Sequence, residues 1–243
     1  MGPDSYYDAT PKERPMELKV LYEDNHLLVV HKPAGLLVQG DRSGDADLTE
    51  VAKKYLRIKY DKPGNVYLGL VHRLDRNVSG VVVLARTSKA AARLSAAFRD
   101  KNVEKIYHAV VAGRPRPEAG KLEAWLAARG DERGVTRAEN QPFPSARESL
   151  LRYRLLEAGQ AASLVEVRPV TGRRHQIRAQ LALAGHALLG DVKYGSAQRL
   201  PDHRIALHAF ALELAHPVGG KPLRLETAPP ADWPWPPPHP RER

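Results

Sequence analysis

Asp75 has the surroundings best suited to chemistry on a bound molecule. It lies between Arg73 and Arg76, just before an apolar run that predicts a buried strand over Val81–Ala85. Neighbouring guanidinium groups favour an ionised carboxylate, which can act as a nucleophile or a general base. An arginine–aspartate pair that only stabilises a turn would give the same local pattern. Both interpretations stay open on these residues alone.

A second group of polar side chains lies over residues 168–195. Arg174 and Arg178 are four residues apart, so a helix places them on one face, with His175 beside them. Basic groups near a helix N-terminus can bind phosphate, with help from the free backbone N–H groups. A solvated basic helix face is the alternative.

Tyr107, within a predicted strand, is either a core tyrosine or a ring that stacks on a nucleobase.

The composition narrows the class of protein. The 243 residues include 38 Lys and Arg against 28 Asp and Glu, which gives a formal net charge of +10 and favours a polyanionic partner. A basic enzyme without such a partner is the alternative.

No cysteine is present, which excludes disulfides, thiolate metal sites and iron–sulfur ligation. The sequence has no phosphate-binding GxxxxGK[ST], no GxGxxG and no HExxH, so we expect no metal site. It also lacks a signal peptide and any apolar run long enough to span a membrane, which predicts a cytoplasmic protein.

The elements that position these side chains follow from apolar spacing. Helices are predicted over Leu48–Lys59, with Lys53, Lys54, Arg57 and Lys59 on the outer side, over Ser88–Arg99 with Ser88 as the cap, and over Arg173–Ala184. Further strands are predicted over Leu18–Tyr22, Leu27–His31, Ile106–Ala112, Leu122–Leu126, Ser149–Leu156, Ser163–Val167 and Ile205–Leu214, the last as one strand or a pair. Strands dominate and do not alternate strictly with helices, which favours an α+β fold with a mixed or antiparallel sheet.

Three parts are expected along the chain. Residues 1–15 form a flexible arm, residues 16–228 the folded domain, and residues 229–243 a proline-rich tail. Trp233 and Trp235 are positioned to hold this tail against the domain.

Taken together, these segments resemble the RluA-type pseudouridine synthases. The family signature HRLDxxTSG is similar to residues 72–80, its KxY segment to residues 105–107 and its GRTHQIR segment to residues 172–178. The family opening YEDxxLLVVxKPAGLLV resembles residues 22–38, GDxxYG resembles residues 190–195, and the closing LHA…L…HP resembles residues 207–217. The matches follow in order and cover most of the chain.

The resemblance implies a mixed, mainly antiparallel sheet with flanking helices and a central basic cleft. It also implies isomerisation of uridine in structured rRNA or tRNA, without a cofactor or a metal, by a protein we expect to be a monomer. Carried over residue by residue, it makes Asp75 the catalytic aspartate, stacks Tyr107 on the flipped uracil and pairs Arg178 with Asp75. The same segments would supply the RNA-contacting residues His72, Arg73, Arg76, Arg173, Arg174, His175, Gln176 and Lys193.

The sequence departs from the family pattern at three positions. Val78 and Arg174 stand where the family often has Thr, and His31 stands where Asn is frequent, which puts substrate choice in doubt. Many members carry an additional N-terminal S4-type RNA-binding domain. Fewer than 20 residues precede the first predicted strand, so we expect that domain to be absent. RNA recognition would then fall to the Leu48–Lys59 helix, the segment 129–145 or the tail.

Two other functions fit parts of this pattern. A non-catalytic RNA-binding or assembly factor would explain the charge equally well, although it would not need the set Asp75, Tyr107 and Arg178. A glycosidase-like hydrolase that releases the base would normally require a second carboxylate for acid–base catalysis. No second carboxylate accompanies Asp75 in its motif.

Overall fold

The computed structural model describes residues 17–40, 44–128 and 134–235. The predicted arm at residues 1–15 and the last part of the tail, residues 236–243, lie outside the described residues. Within the described ranges, no helix is both long and apolar enough to cross a membrane.

The described chain forms one sheet of eleven strands, accompanied by three α-helices. The first elements are β1 (Val20–Glu23), β2 (Leu27–Lys32), α1 (Leu48–Lys59), β3 (Gly69–Leu70), β4 (Ser79–Ala85), α2 (Ser88–Arg99) and β5 (Glu104–Ala112). The later ones are β6 (Ala119–Ala128), β7 (Thr136–Glu139), β8 (Arg147–Ala158), β9 (Ala162–Pro169), α3 (Gln176–Leu183), β10 (Leu207–Ala215) and β11 (Pro222–Glu226).

The strand order across the sheet is β1-β2-β4-β10-β5-β9-β8-β6-β7, with β3 on β4 and β11 on β10. Among the described strand pairs, only β4 and β10 run parallel. The expected α+β class with a mixed, mainly antiparallel sheet is therefore confirmed.

Strand β4 is buried in the sheet between β2 on one edge and β3 and β10 on the other. All seven of its residues are buried, as the apolar run over Val81–Ala85 predicts. Gly80 has a φ of 129°, and a Cβ atom there would lie 2.3 Å from the carbonyl oxygen of Ala209 on β10. Because only glycine fits at that distance, Gly80 allows the parallel pairing that joins β4 to β10.

The helices pack on opposite faces of the sheet. Leu48, Ala52 and Leu56 of α1 share a core with Ile177 and Leu181 of α3. Ala90 and Leu94 of α2 belong to a separate core on the other face, together with Val81 and Val83 of β4. Since successive strand residues point to opposite faces, α1 and α3 cover one face of the sheet and α2 covers the other.

Several predicted boundaries are wrong, and the local geometry explains two of them. The cap of α2 is Thr87 rather than Ser88, because the Thr87 hydroxyl accepts from the backbone N–H of Ala90. Helix α3 begins at Gln176 rather than Arg173, because His175 has a left-handed backbone with φ 52°. The last predicted strand is a hairpin of β10 and β11, and the short strands β3 and β7 are additional.

The first part of the predicted tail packs on the sheet. Trp233 lies against a small core containing Val110 and Leu164, and its ring centroid is 5.8 Å from that of His208. The Trp235 indole N–H donates to the Glu157 carboxylate at 2.9 Å. Both tryptophans thus hold this segment against the domain, as predicted.

Candidate active site

Asp75 lies in a loop whose backbone is anchored at several points. The loop connects β3 to the first residue of β4, and the Val78 N–H donates to the Asp75 carbonyl at 3.1 Å. The next carbonyl, that of Arg76, accepts from the Gly35 N–H at 2.8 Å and from Lys32 Nζ at 3.0 Å. The loop that presents Asp75 is therefore held against the segment that follows β2.

Lys32 is a residue that the sequence analysis did not assign to the site. Its side chain is fully buried, and its Nζ also donates to the carbonyls of Pro33 and Leu36, at 2.9 and 2.7 Å. Burial lowers the pKa of Lys32 to about 7, although the charge of Asp75 opposes that shift. Three carbonyl acceptors use all three protons of the ammonium group, so Lys32 cross-links two loops.

Arg178 joins Asp75 to a second carboxylate, that of Asp191. Arg178 Nη1 donates to Asp75 Oδ2 at 2.9 Å, while Nε and Nη2 donate to the two oxygens of Asp191 at 2.7 and 2.9 Å. Arg178 and Asp191 are both buried, and about 30% of the Asp75 side chain is exposed. The pair with Asp191 fixes the guanidinium plane, and the remaining N–H orients Asp75.

This geometry leaves one oxygen of Asp75 for a substrate. The contacts of Arg178 and His175 both go to Oδ2, and within the described residues no hydrogen bond reaches Oδ1. Asp191 is different, because both of its oxygens are bonded to Arg178 and its side chain is about 1% exposed. Asp191 is thus a buried partner of the arginine and is not presented as a second acid or base.

His175 lies next to the Asp75 carboxylate. Its Nε2 is 3.6 Å from Asp75 Oδ2, and its Nδ1 is 3.0 Å from the hydroxyl oxygen of Tyr194. The Thr136 N–H donates to the same hydroxyl oxygen at 2.8 Å, so Tyr194 links His175 to β7. Burial lowers the pKa of His175 to about 4, against the opposing charge of Asp75.

Tyr107 lies in the middle of β5, where it pairs with Ala209 of β10 and Val167 of β9. Its ring packs against the core beneath α1 and α3, which is the face that also contains Leu74 of the Asp75 loop. Burial, and then the nearby charge of Asp75, raise the pKa of the Tyr107 hydroxyl well above its usual value. The phenol therefore stays neutral and presents a ring beside the carboxylate.

Two of the residues predicted to contact RNA make internal hydrogen bonds instead of facing solvent. Gln176 is buried, and its Oε1 accepts from the Arg173 N–H and the Thr171 hydroxyl, which closes the turn before α3. His72 Nε2 accepts from the Val83 N–H at 3.0 Å, and its ring stacks on Phe98 at 4.7 Å. Burial lowers the pKa of His72 to about 3, so the ring is a neutral acceptor.

His72 has a clear structural reason for this position. Strand β2 pairs along one edge of β4. Along the other edge, β3 pairs only with residues 84 and 85, and β10 pairs only with residues 79 and 80. The Val83 N–H lies in the gap between those two strands, and His72 supplies the acceptor that a strand would have supplied.

Apart from His175, the remaining residues predicted to contact RNA are exposed. Arg73, Arg76, Arg173, Arg174 and Lys193 all present their side chains at the surface. Arg76 forms an ion pair with Asp45 at 2.8 Å, and Arg173 donates to the Glu148 carbonyl at 3.3 Å. These cations come from the Asp75 loop, from the turn before α3 and from the segment that follows α3. Among the described residues, no three His, Asp or Glu side chains are grouped so as to hold a metal ion.

Comparisons with known proteins agree with this geometry. Residues 26–183 match the family described as RNA pseudouridylate synthase. The chain is 36% identical to ribosomal large subunit pseudouridine synthase D of Zymomonas mobilis over 91% of its own length and 72% of that protein. It is 34% identical to the protein of the same name from Pseudomonas aeruginosa, over 90% of its length and 71% of the relative.

A solved structure gives the same result for the fold. Human RNA pseudouridylate synthase domain containing 4 aligns with a TM-score of 0.73 and 27% identity, covering 88% of this chain and 89% of the human chain.

Proposed function

This chain belongs to the family of RNA pseudouridylate synthases, and we propose that it isomerises uridine in large-subunit ribosomal RNA, with Asp75 as the catalytic carboxylate. The observation that carries the proposal is the contact of Arg178 with both Asp75 and the buried Asp191. It holds one carboxylate in a fixed orientation at a partly open position. The names of the bacterial relatives support ribosomal RNA as the substrate.

The reaction requires one bond to break and another to form. The bond between N1 of uracil and C1′ of ribose breaks, the base turns, C5 bonds to C1′, and the hydrogen on C5 leaves as a proton. In the proposal, Oδ1 of Asp75 either attacks C1′ or removes the 2′ proton to give a glycal. Both routes need an ionised carboxylate with a free oxygen, which is what the Arg178 contact at Oδ2 leaves.

The target uridine has to leave its stack before Asp75 can reach it, at a cost of roughly a few kcal/mol. Stacking on an aromatic ring is worth about 1–3 kcal/mol per base, so Tyr107 offsets part of that cost in the proposal. Arg73, Arg76, Arg173, Arg174 and Lys193 then contact phosphates along a basic cleft on either side of the site. His72 and Gln176 belong to the frame of the cleft, and the neutral ring of His175 lies beside Asp75, with its Nε2 3.6 Å from Oδ2.

The test is the release of tritium from RNA labelled at C5 of uridine, because the new C–C bond expels that hydrogen. Unmodified transcripts of ribosomal RNA and of tRNA are offered separately. We expect release from large-subunit ribosomal RNA with the wild-type chain and none with Asp75→Asn. The matched control is Asp202→Asn, which removes an exposed carboxylate that also pairs with an arginine, Arg204.

Three results would contradict the proposal. Full turnover by Asp75→Asn would remove Asp75 from the mechanism. Free uracil as the product would indicate hydrolysis. Binding of ribosomal RNA without any tritium release would indicate a binding protein. A cytoplasmic location and a monomeric state stay predictions.

A further inference from the structure

A basic surface with an exposed apolar residue lies at the C-terminal end of α1. This surface, called the α1 patch here, consists of Lys54, Arg57, Ile58 and Lys62. Ile58 is 72% exposed, the highest value among the large apolar side chains that the structure describes as exposed. The Lys62 N–H donates to the Arg57 carbonyl at 3.0 Å, which folds the segment after the helix back beside Arg57.

The cations of the α1 patch differ from their neighbours on the same helix. Lys53 pairs with Glu50 at 2.7 Å, and Lys59 pairs with Glu23 at 2.8 Å. Within the described part of the chain, the side chains of Lys54, Arg57 and Lys62 form no hydrogen bond or ion pair. A cation in the last helical turn is favoured by the helix dipole, but that effect does not extend to Lys54 or explain the exposed Ile58 between the cations.

The α1 patch lies on the same face of the sheet as Asp75, at the opposite end of the strands. The segment before α1 is held at the Asp75 loop, because Asp45 pairs with Arg76 at 2.8 Å. The other end of α1 meets the far end of β4, where Arg86 lies over the ring of Tyr60 at 4.7 Å. Helix α1 has 12 residues and β4 has seven, so both elements give a separation of about 20 Å.

We propose that the α1 patch binds the sugar–phosphate backbone of the RNA substrate at a point about 20 Å from the target uridine. The proposal rests on the function proposed above, and it adds a second RNA contact to the one at the Asp75 site. Charge complementarity favours RNA as the occupant, since three unpaired cations can displace counterions from three phosphates. Ile58 would lie against a ribose or a base edge between those contacts.

The test is a triple variant, Lys54→Gln, Arg57→Gln and Lys62→Gln. The matched control is Lys89→Gln, Lys101→Gln and Lys221→Gln, which removes the same charge beside α2 on the opposite face. The Lys221 turn lies there because Arg93 of α2 donates to the Pro217 carbonyl. All six side chains are exposed, so we expect both variants to fold, and thermal unfolding is the check.

Two measurements are made with an unmodified large-subunit ribosomal RNA transcript. At 0.1 M salt we expect the α1 variant to bind about 10- to 100-fold more weakly than wild type, and the slope of log K against log salt to fall in magnitude by about 2 to 3. The KM for tritium release should rise by the same factor while kcat at saturating RNA stays unchanged, because the patch does not touch the reacting atoms. The control variant should keep most of the affinity.

An α1 variant with wild-type affinity and salt slope would overturn the proposal, and so would an equal loss of affinity in the control variant. An acidic protein as the true occupant would give the first of these results. Failure of the proposed function has a different signature, since the wild-type chain would then release no tritium. In that event the binding comparison still decides whether the α1 patch contacts RNA.

Discussion

Replacing Arg178 with lysine tests whether the shape of the guanidinium group, and not only its charge, organises the site. Arg178 donates three hydrogen bonds, at 2.7, 2.9 and 2.9 Å, to two carboxylates. A lysine has a single nitrogen, so Arg178→Lys can satisfy one carboxylate but cannot hold both in this geometry. The variant therefore keeps the charge and removes the bridge between Asp75 and Asp191.

The expected magnitude follows from burial and bond number. Each hydrogen bond to a charged group contributes about 1.5–3 kcal/mol. The variant loses two of the three bonds: one bond to Asp191, and either the other bond to Asp191 or the bond to Asp75. Breaking a buried ion pair costs about 3–5 kcal/mol, so we expect a loss of stability of that order. For a chain of this size each kcal/mol shifts Tm by about 2–4 °C. A loss of orientation at Asp75 should lower kcat at least about 100-fold.

Urea unfolding and single-turnover tritium release measure the two effects. Arg224→Lys is the matched control, because Arg224 also pairs with two carboxylates, those of Glu213 and Glu226, but its side chain is 49% exposed. An exposed pair contributes at most about 1 kcal/mol, so this variant should be close to wild type in both assays. Wild-type stability and kcat in Arg178→Lys would refute the reasoning.

Three further predictions concern the residues around this bridge. Lys32→Met removes three hydrogen bonds to backbone carbonyls and leaves the buried Leu36 carbonyl without its donor, so it should destabilise the chain by about 1–3 kcal/mol, with faster amide exchange at Gly35; slow exchange there would contradict the role of Lys32. Tyr107→Phe keeps the ring and should retain most of the tritium release, whereas complete loss would show that the hydroxyl takes part. Since the folded-state pKa values of His72 and His175 are lowered to about 3 and about 4, the unfolded chain binds more protons below pH 6.5. Stability in urea should therefore fall from pH 7 to pH 5, and a constant or rising value would contradict their burial as neutral rings.

The parts of the fold that were predictable are those with strong local patterns. The bounds of α1 agree with the prediction, because its apolar spacing is regular and Asp47 caps it through the Glu50 N–H. The run over Val81–Ala85 indicated a strand buried on both faces. The start of α3 was not predictable, since it depends on the Gln176 side chain bonding back to the Arg173 N–H.

In the site, too, some features were predictable from the sequence and others were not. The contact of Arg178 with Asp75 was expected from the resemblance to a family, and the structure contains it at 2.9 Å. Asp191 and Lys32 were not assigned, although both lie inside segments that resemble the family pattern. Asp191 bonds Arg178, 13 residues away, and Lys32 bonds the Arg76 carbonyl, 44 residues away, and the spacing of residue types does not predict either contact. His72 also has a role that no local pattern indicates, because its acceptor nitrogen bonds the Val83 N–H in a gap of the sheet.

The packing of the C-terminal segment determines what the intrinsic fluorescence of this chain can report. Two of its three tryptophans, Trp233 and Trp235, lie in that segment, and the third, Trp125, lies on β6. Trp233 meets the ring of His208, whose Nδ1 is 2.8 Å from the hydroxyl oxygen of Ser79 at the start of β4. Changes in emission upon titration with a ligand therefore have two sources, the segment of Trp233 and Trp235 behind the strand that follows Asp75, and Trp125 on β6, and Trp125→Phe separates them.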